Sequence, residues 1–258
     1  MSPYYRKWEN LYAPADLVQG PLLYLSPHPD DEVLGGGGLI LAHRDVGERV
    51  LTVVMTDGGK GDATGKYGTD YPEIRKAEFR AAALALGDTG TRFLDFPDFG
   101  LAELMAHENP APVAAIEEIL GSAEWGSLAF PSPWELHPDH RATCLAALRA
   151  VLGQKSRPRL LAYEVGSFMP NNLLLDISGL FERKLKALRC YASQLEHHDL
   201  VGKMTGLDVA RTANVDDKNI SHCEAWLRVA DDRIEEFLNV TETAMRVTDE
   251  MGPAVPYL

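Results

Sequence analysis

Short apolar runs alternating with stretches of helical periodicity decide what this chain can fold into. Leu22–Leu25, Val50–Met55, Phe93–Phe96, Leu128–Phe130 and Leu160–Val165 read as strands, the second of them rich in β-branched residues. Between them lie four helical stretches. These are Val33–His43, a helix marked by Ile74, Ala77, Ala81 and Leu84 with Gly87 as its stop, Val113–Leu120 and Ala142–Val151. Strands joined through helices pair in parallel, so the expected class is α/β with a mostly parallel sheet covered on both faces. In such sheets a ligand site lies beyond the carboxyl ends of the strands.

After about residue 170 the pattern changes. Leu174–Ile177 and Trp226–Val229 read as late strands. Phe181, Leu185, Leu188, Ala192 and Leu195 mark one amphipathic helix, and another surrounds Ile234, Phe237, Leu238 and Ala244. No low-complexity linker or internal repeat interrupts the chain. A single domain over 1–258 is expected, with a core at about 21–170 and a C-terminal extension at about 171–258.

Two segments carry the chemistry. Ser26-Pro27-His28-Pro29-Asp30-Asp31-Glu32 and Glu135-Leu136-His137-Pro138-Asp139-His140 each follow a strand, and each concentrates imidazole and carboxylate. Catalytic zinc takes three such ligands and keeps a position open for water. His28 and Asp31 can meet on one ion, with His140 as the third ligand. Asp30 is then placed as general base. His137, in the same cavity, could stabilise an oxyanion or protonate a departing amine. Asp139 would orient one of the imidazoles.

Other features read more plainly. Gly35–Gly38 lacks dinucleotide or phosphate-loop spacing and suggests close packing of a helix on the sheet. Gly58-Gly59-Lys60-Gly61 reads as a loop near the strand ends, His197-His198 as an exposed helix end, and Asp231, Asp232, Glu235 and Glu236 as a solvated face. With 25 Lys and Arg against 38 Asp and Glu, the net charge of −13 argues against nucleic acid as a partner. No apolar run approaches the roughly 20 residues of a membrane span. The first ten residues hold no secretory core, and Cys144, Cys190 and Cys223 form no CxxC pair. A cytoplasmic protein with reduced thiols is expected.

At these residues the chain resembles the PIG-L/LmbE-like family of zinc-dependent N-acetylglucosaminyl deacetylases. The resemblance rests on the His28-Pro29-Asp30-Asp31-Glu32 and His137-Pro138-Asp139-His140 boxes. It extends to Thr56-Asp57-Gly58, to Arg75 and Glu78, to Phe93–Asp98, and to Lys184 with Ser193-Gln194, covering about residues 21 to 230. The opening box and Pro133-Trp134 look most like the chitobiose-type deacetylases. Some relatives carry a tyrosine where this chain has Glu135.

The resemblance implies a Rossmann-like three-layer fold. It implies His28, Asp31 and His140 as zinc ligands, with Fe2+ as another candidate ion. Asp30 would be the base, His137 the general acid or oxyanion stabiliser, and Asp139 its electrostatic partner. Arg75 and Asp98 would hold the sugar. The implied reaction removes the acetyl group from an N-acetylglucosamine-containing small molecule, and a homo-oligomer is expected. Alternatives are an amidase for thiol-sugar conjugates and a non-catalytic sugar- or metal-binding protein. A metallophosphatase would need a second-metal carboxylate cluster that the sequence lacks.

Overall fold

The five apolar runs form neighbouring strands of one sheet. The computed structural model describes residues 11–250; Met1–Asn10, read above for a secretory signal, lie outside them. The strands are β1 (Leu11–Tyr12), β2 (Leu22–Ser26), β3 (Val50–Thr56), β4 (Gly90–Phe96), β5 (Ser127–Pro131), β6 (Arg159–Tyr163), β7 (Leu173–Asp176) and β8 (Cys223–Val229). They lie in the order β1-β7-β8-β6-β5-β2-β3-β4. From β6 to β4 every pairing is parallel. β8 runs antiparallel to both β6 and β7, and β1 is parallel to β7. The extension therefore continues the same sheet, which is mostly parallel and mixed.

The helices are α1 (Pro14–Leu17), α2 (Asp31–Asp45), α3 (Tyr71–Ala85), α4 (Leu101–Ala106), α5 (Ala111–Gly121), α6 (Pro138–Leu152), α7 (Phe181–Leu188), α8 (Ala192–Leu195), α9 (Leu200–Ala210) and α10 (Ile234–Glu250). Alternation along the strands assigns each helix to a layer. Leu22 and Tyr24 join Phe79 of α3 and Leu185 of α7 in one core, which also holds Leu39–Ala42 of α2. Leu23 and Leu25 join Ile116 of α5, Leu145 and Leu148 of α6, and Ile234 of α10 on the other face. Three layers result. The continuous stripe read over 181–195 is interrupted at Arg189–Tyr191, because Tyr191 turns inward and its hydroxyl donates to Glu32.

The glycine run explains how α2 lies against its neighbours. A Cβ on Gly35 would stand 2.3 Å from the Tyr163 ring, and one on Gly36 would stand 2.4 Å from Tyr24. One on Gly37 would meet Lys184 at 2.9 Å, and one on Gly38 would meet Ile177 at 2.3 Å. No side chain fits there, so the run serves close packing rather than phosphate binding. The same approach breaks the helix at Gly36, where φ is −150°. Glu224 of β8 serves the two amides freed downstream, accepting from Gly38 N at 2.6 Å and Leu39 N at 3.0 Å. Lys184 of α7, fully buried, bridges Glu224 at 3.0 Å and Asp208 of α9 at 2.8 Å.

Candidate active site

Parallel β5 and β2 are direct neighbours, and this brings the two boxes together. The loop after β2 carries His28, Asp30 and Asp31, and the segment after β5 carries Glu135, His137, Asp139 and His140. Pro27 O accepts from Thr56 N at 3.0 Å and from Thr56 Oγ1 at 2.9 Å, tying the first loop to the end of β3. All of these side chains except His137 are buried; His137 is half-buried.

Three donor atoms form a close triangle. His28 Nδ1 lies 3.1 Å from Asp31 Oδ2, His140 Nε2 lies 3.1 Å from the same oxygen, and the two nitrogens are 3.2 Å apart. Ligands bound tetrahedrally at zinc distances would stand about 3.3 Å from one another. The outer edges of both rings also meet carboxylates. His28 Nε2 faces Asp98 at 3.3 Å and Asp139 at 3.6 Å, while His140 Nδ1 faces Glu135 at 3.5 Å. Such partners fix the tautomer that leaves the inner nitrogens to bind an ion. Two other groups, His28–His137–His140 and His28–Asp98–Asp139, have donors within 4.8 Å of one another, a looser grouping than the triangle.

The charges point the same way. Burial opposes protonation of His28 and His140, yet the surrounding carboxylates outweigh it. His28 is held well above its ordinary value by Asp139, Asp31 and Asp98, and His140 is held up to about 9 by Asp31 and Glu135. Burial would raise Asp31, but His140 and His28 hold it well below the usual carboxylate range. A pocket that pulls protons onto two imidazoles in this way is built for a cation. The donor set of two imidazoles and one carboxylate suits zinc and related divalent ions.

Asp30 stands beside the triangle in a costly conformation. Its φ of 126° lies outside the range an L-residue ordinarily adopts, and such strain is tolerated where the surroundings dictate it. The surroundings are Glu32, whose Oε2 accepts from Asp30 N at 3.1 Å, and Arg75, whose Nη2 lies 3.2 Å from Asp30 Oδ2. Arg75 also donates to Pro29 O. Burial pushes Asp30 up to about 7, with Arg75 opposing the rise.

Arg75, Asp98 and Asp139 pack around the triangle. Arg75 is buried, with Nη2 donating to Pro29 O and lying 3.2 Å from Asp30 Oδ2. Asp98 is buried too, with Oδ2 accepting from Lys60 N at 2.9 Å and Oδ1 toward His28. The Asp139 carboxylate accepts from Phe99 N at 2.7 Å and Ala102 N at 3.2 Å and lies 3.6 Å from His28 Nε2. The Asp139 backbone N–H donates to His137 Nδ1 at 3.2 Å as His137 caps α6. In the neutral ring the proton is therefore on Nε2. Burial, followed by the charges of His28 and His140, lowers His137 to about 2 and keeps it neutral.

Glu135, which stands where some relatives carry a tyrosine, lies behind His140. Beyond His140, it accepts from Val165 N at 2.8 Å and Gly166 N at 3.0 Å, joining the loops after β5 and β6. Only its place two residues before His137 could have marked it. Glu135→Gln is expected to weaken zinc binding about 10- to 100-fold, as loss of an outer carboxylate does. Competition with a chromophoric chelator measures this, and an unchanged affinity would detach Glu135 from the ion.

The chain is similar to known proteins over most of its length. The PIG-L family, described as GlcNAc-PI de-N-acetylase, matches residues 23–151. A diacetylchitobiose deacetylase of Thermococcus kodakarensis is 31% identical over 190 residues, covering 67% of this chain and 69% of the relative. The chain belongs to the PIG-L family. A probable N-acetyl-alpha-D-glucosaminyl L-malate deacetylase 2 of Bacillus cereus is 31% identical over 188 residues, 68% of this chain and 84% of its own. The structure of N,N'-diacetylchitobiose deacetylase from Pyrococcus horikoshii superposes with a TM-score of 0.69 at 25% identity, covering 82% of this chain and 84% of that one.

Proposed function

We propose that this PIG-L chain is a metal-dependent N-deacetylase acting on an N-acetylglucosamine-containing small molecule. The observation that carries the reading is the triangle of His28 Nδ1, Asp31 Oδ2 and His140 Nε2 with Asp30 held beside it by Arg75. Zinc held by that triangle, or another divalent ion such as Fe2+, would polarise an amide carbonyl and lower the pKa of a water. Asp30 takes the proton of the attacking water. Arg75 and Glu32 keep its carboxylate aimed at that water. His137 donates a hydrogen bond from Nε2 to the carbonyl oxygen as charge builds there, and the proton that Asp30 took passes to the departing nitrogen. Asp98, Asp139 and Glu135 act through the two imidazoles they face. Acetate and a free amine leave.

The relatives' substrates, diacetylchitobiose and N-acetylglucosaminyl malate, favour an amino sugar over a thiol conjugate as the first choice. Among the described residues no helix is long and apolar enough to cross a membrane. We assign the protein to the cytoplasm on its three free cysteines, and to a homo-oligomer on its family resemblance. The test is acetate release from N-acetylglucosamine, N,N′-diacetylchitobiose and N-acetylglucosaminyl malate by zinc-loaded protein. Turnover of any of these supports the reading. Zinc bound without turnover of all three would favour a binding protein.

A further inference from the structure

Phe99 is the second strained residue of the site. It follows β4 and has a φ of 61°, which is an outlier for a bulky side chain. Asp139 fixes it there, accepting from Phe99 N at 2.7 Å. The result is that the ring lies 4.4 Å, centroid to centroid, from the His137 imidazole while the residue stays 38% exposed. A glycine would satisfy this backbone without strain, and a polar residue would suit its exposure. The position instead carries an aromatic ring, at a cost in backbone energy, against His137. Lys60 Nζ lies 5.6 Å from the same ring.

The proposed chemistry says what that ring meets. His137 Nε2 serves the carbonyl of the scissile amide, so the sugar carried on that amide lies within reach of the ring packed on His137. Phe99 is a partly exposed ring packed on His137. We infer that Phe99 is a specificity-determining residue that takes the C–H face of a pyranose on the amine side of the substrate. Apolar and aromatic walls that set ligand orientation are the usual partners of a few polar groups in such sites. The acetyl side is not read by this residue. Substrates whose amine component is a hexosamine ring are thereby preferred over amides of small flexible amines.

This rests on the deacetylase reading, and its test separates the two. Phe99→Gly relieves the backbone and removes the ring, whereas Phe99→Tyr keeps the ring. Two readouts are needed: kcat/KM for N-acetylglucosamine against N-acetylethanolamine, and calorimetric affinity for glucosamine with zinc-loaded protein. In Phe99→Gly the preference for the sugar falls at least tenfold and glucosamine binding weakens to a similar degree. Phe99→Tyr stays within about threefold of the parent in both. An equal loss on both substrates, with glucosamine affinity unchanged, would mean that the ring only packs His137 and would overturn the inference. Glucosamine affinity that depends on Phe99 in a protein releasing no acetate would support the inference and overturn the deacetylase reading. No glucosamine binding by the parent would overturn the inference outright.

Discussion

Asp30→Asn is expected to lower kcat by two to four orders of magnitude while the protein still binds one zinc ion. That is the range for removing a general base, and the amide keeps the shape of the side chain. The loss has no ready substitute. Glu32 is the next carboxylate, but it accepts from Asp30 N, Ser26 Oγ and the Tyr191 hydroxyl and is buried. Burial also pushes Glu32 up to about 8, leaving it protonated at neutral pH. Asp31 is turned to the two imidazoles. KM should change little, because the lost interaction belongs to the transition state. A variant retaining more than about a tenth of kcat would remove Asp30 from the reaction.

The second large effect is on stability. Lys184→Met leaves Asp208 and Glu224 buried without their shared cation, and breaking a buried ion pair from one side costs about 3–5 kcal/mol. The melting temperature should fall by roughly 10 °C. The loss should also depend on pH. Burial raises Asp208 to about 7 even with Lys184 opposing the rise, and removing Lys184 raises it further. A carboxyl raised above its unfolded value stabilises the fold below that unfolded value. The contribution is lost as pH climbs through the folded value. The variant should therefore be weaker at pH 8 than at pH 5, by urea denaturation at both. Equal, small losses at the two pH values would show that the cluster is not the brace of α2 described above.

The parallel half of the fold could be read from the sequence because buried parallel strands are continuous apolar runs with helices between them. β2, β3 and β5 stand where Leu22–Leu25, Val50–Met55 and Leu128–Phe130 predict them. The direction of β8 could not be read, since the pattern of Trp226–Val229 is the same in either sense. β1, two residues long, is too short for any periodicity. The boxes themselves mark the candidate site, because both follow strands that pair directly. Which partner each group takes could not be read. Arg75 and Asp98 come from α3 and the loop after β4, and only the packing of those elements turns them toward Asp30 and His28. Glu135 and Phe99 carry no motif. One is known by the imidazole behind which it lies, the other by a φ that sequence does not display.

The most direct test of the account is acetate release from N,N′-diacetylchitobiose as zinc is titrated into chelator-treated protein. The predicted result is activity that rises from baseline and breaks at one equivalent, with His140→Ala flat throughout. Release that is undiminished by the chelator, or that persists in His140→Ala, would contradict a metal centre built from His28, Asp31 and His140.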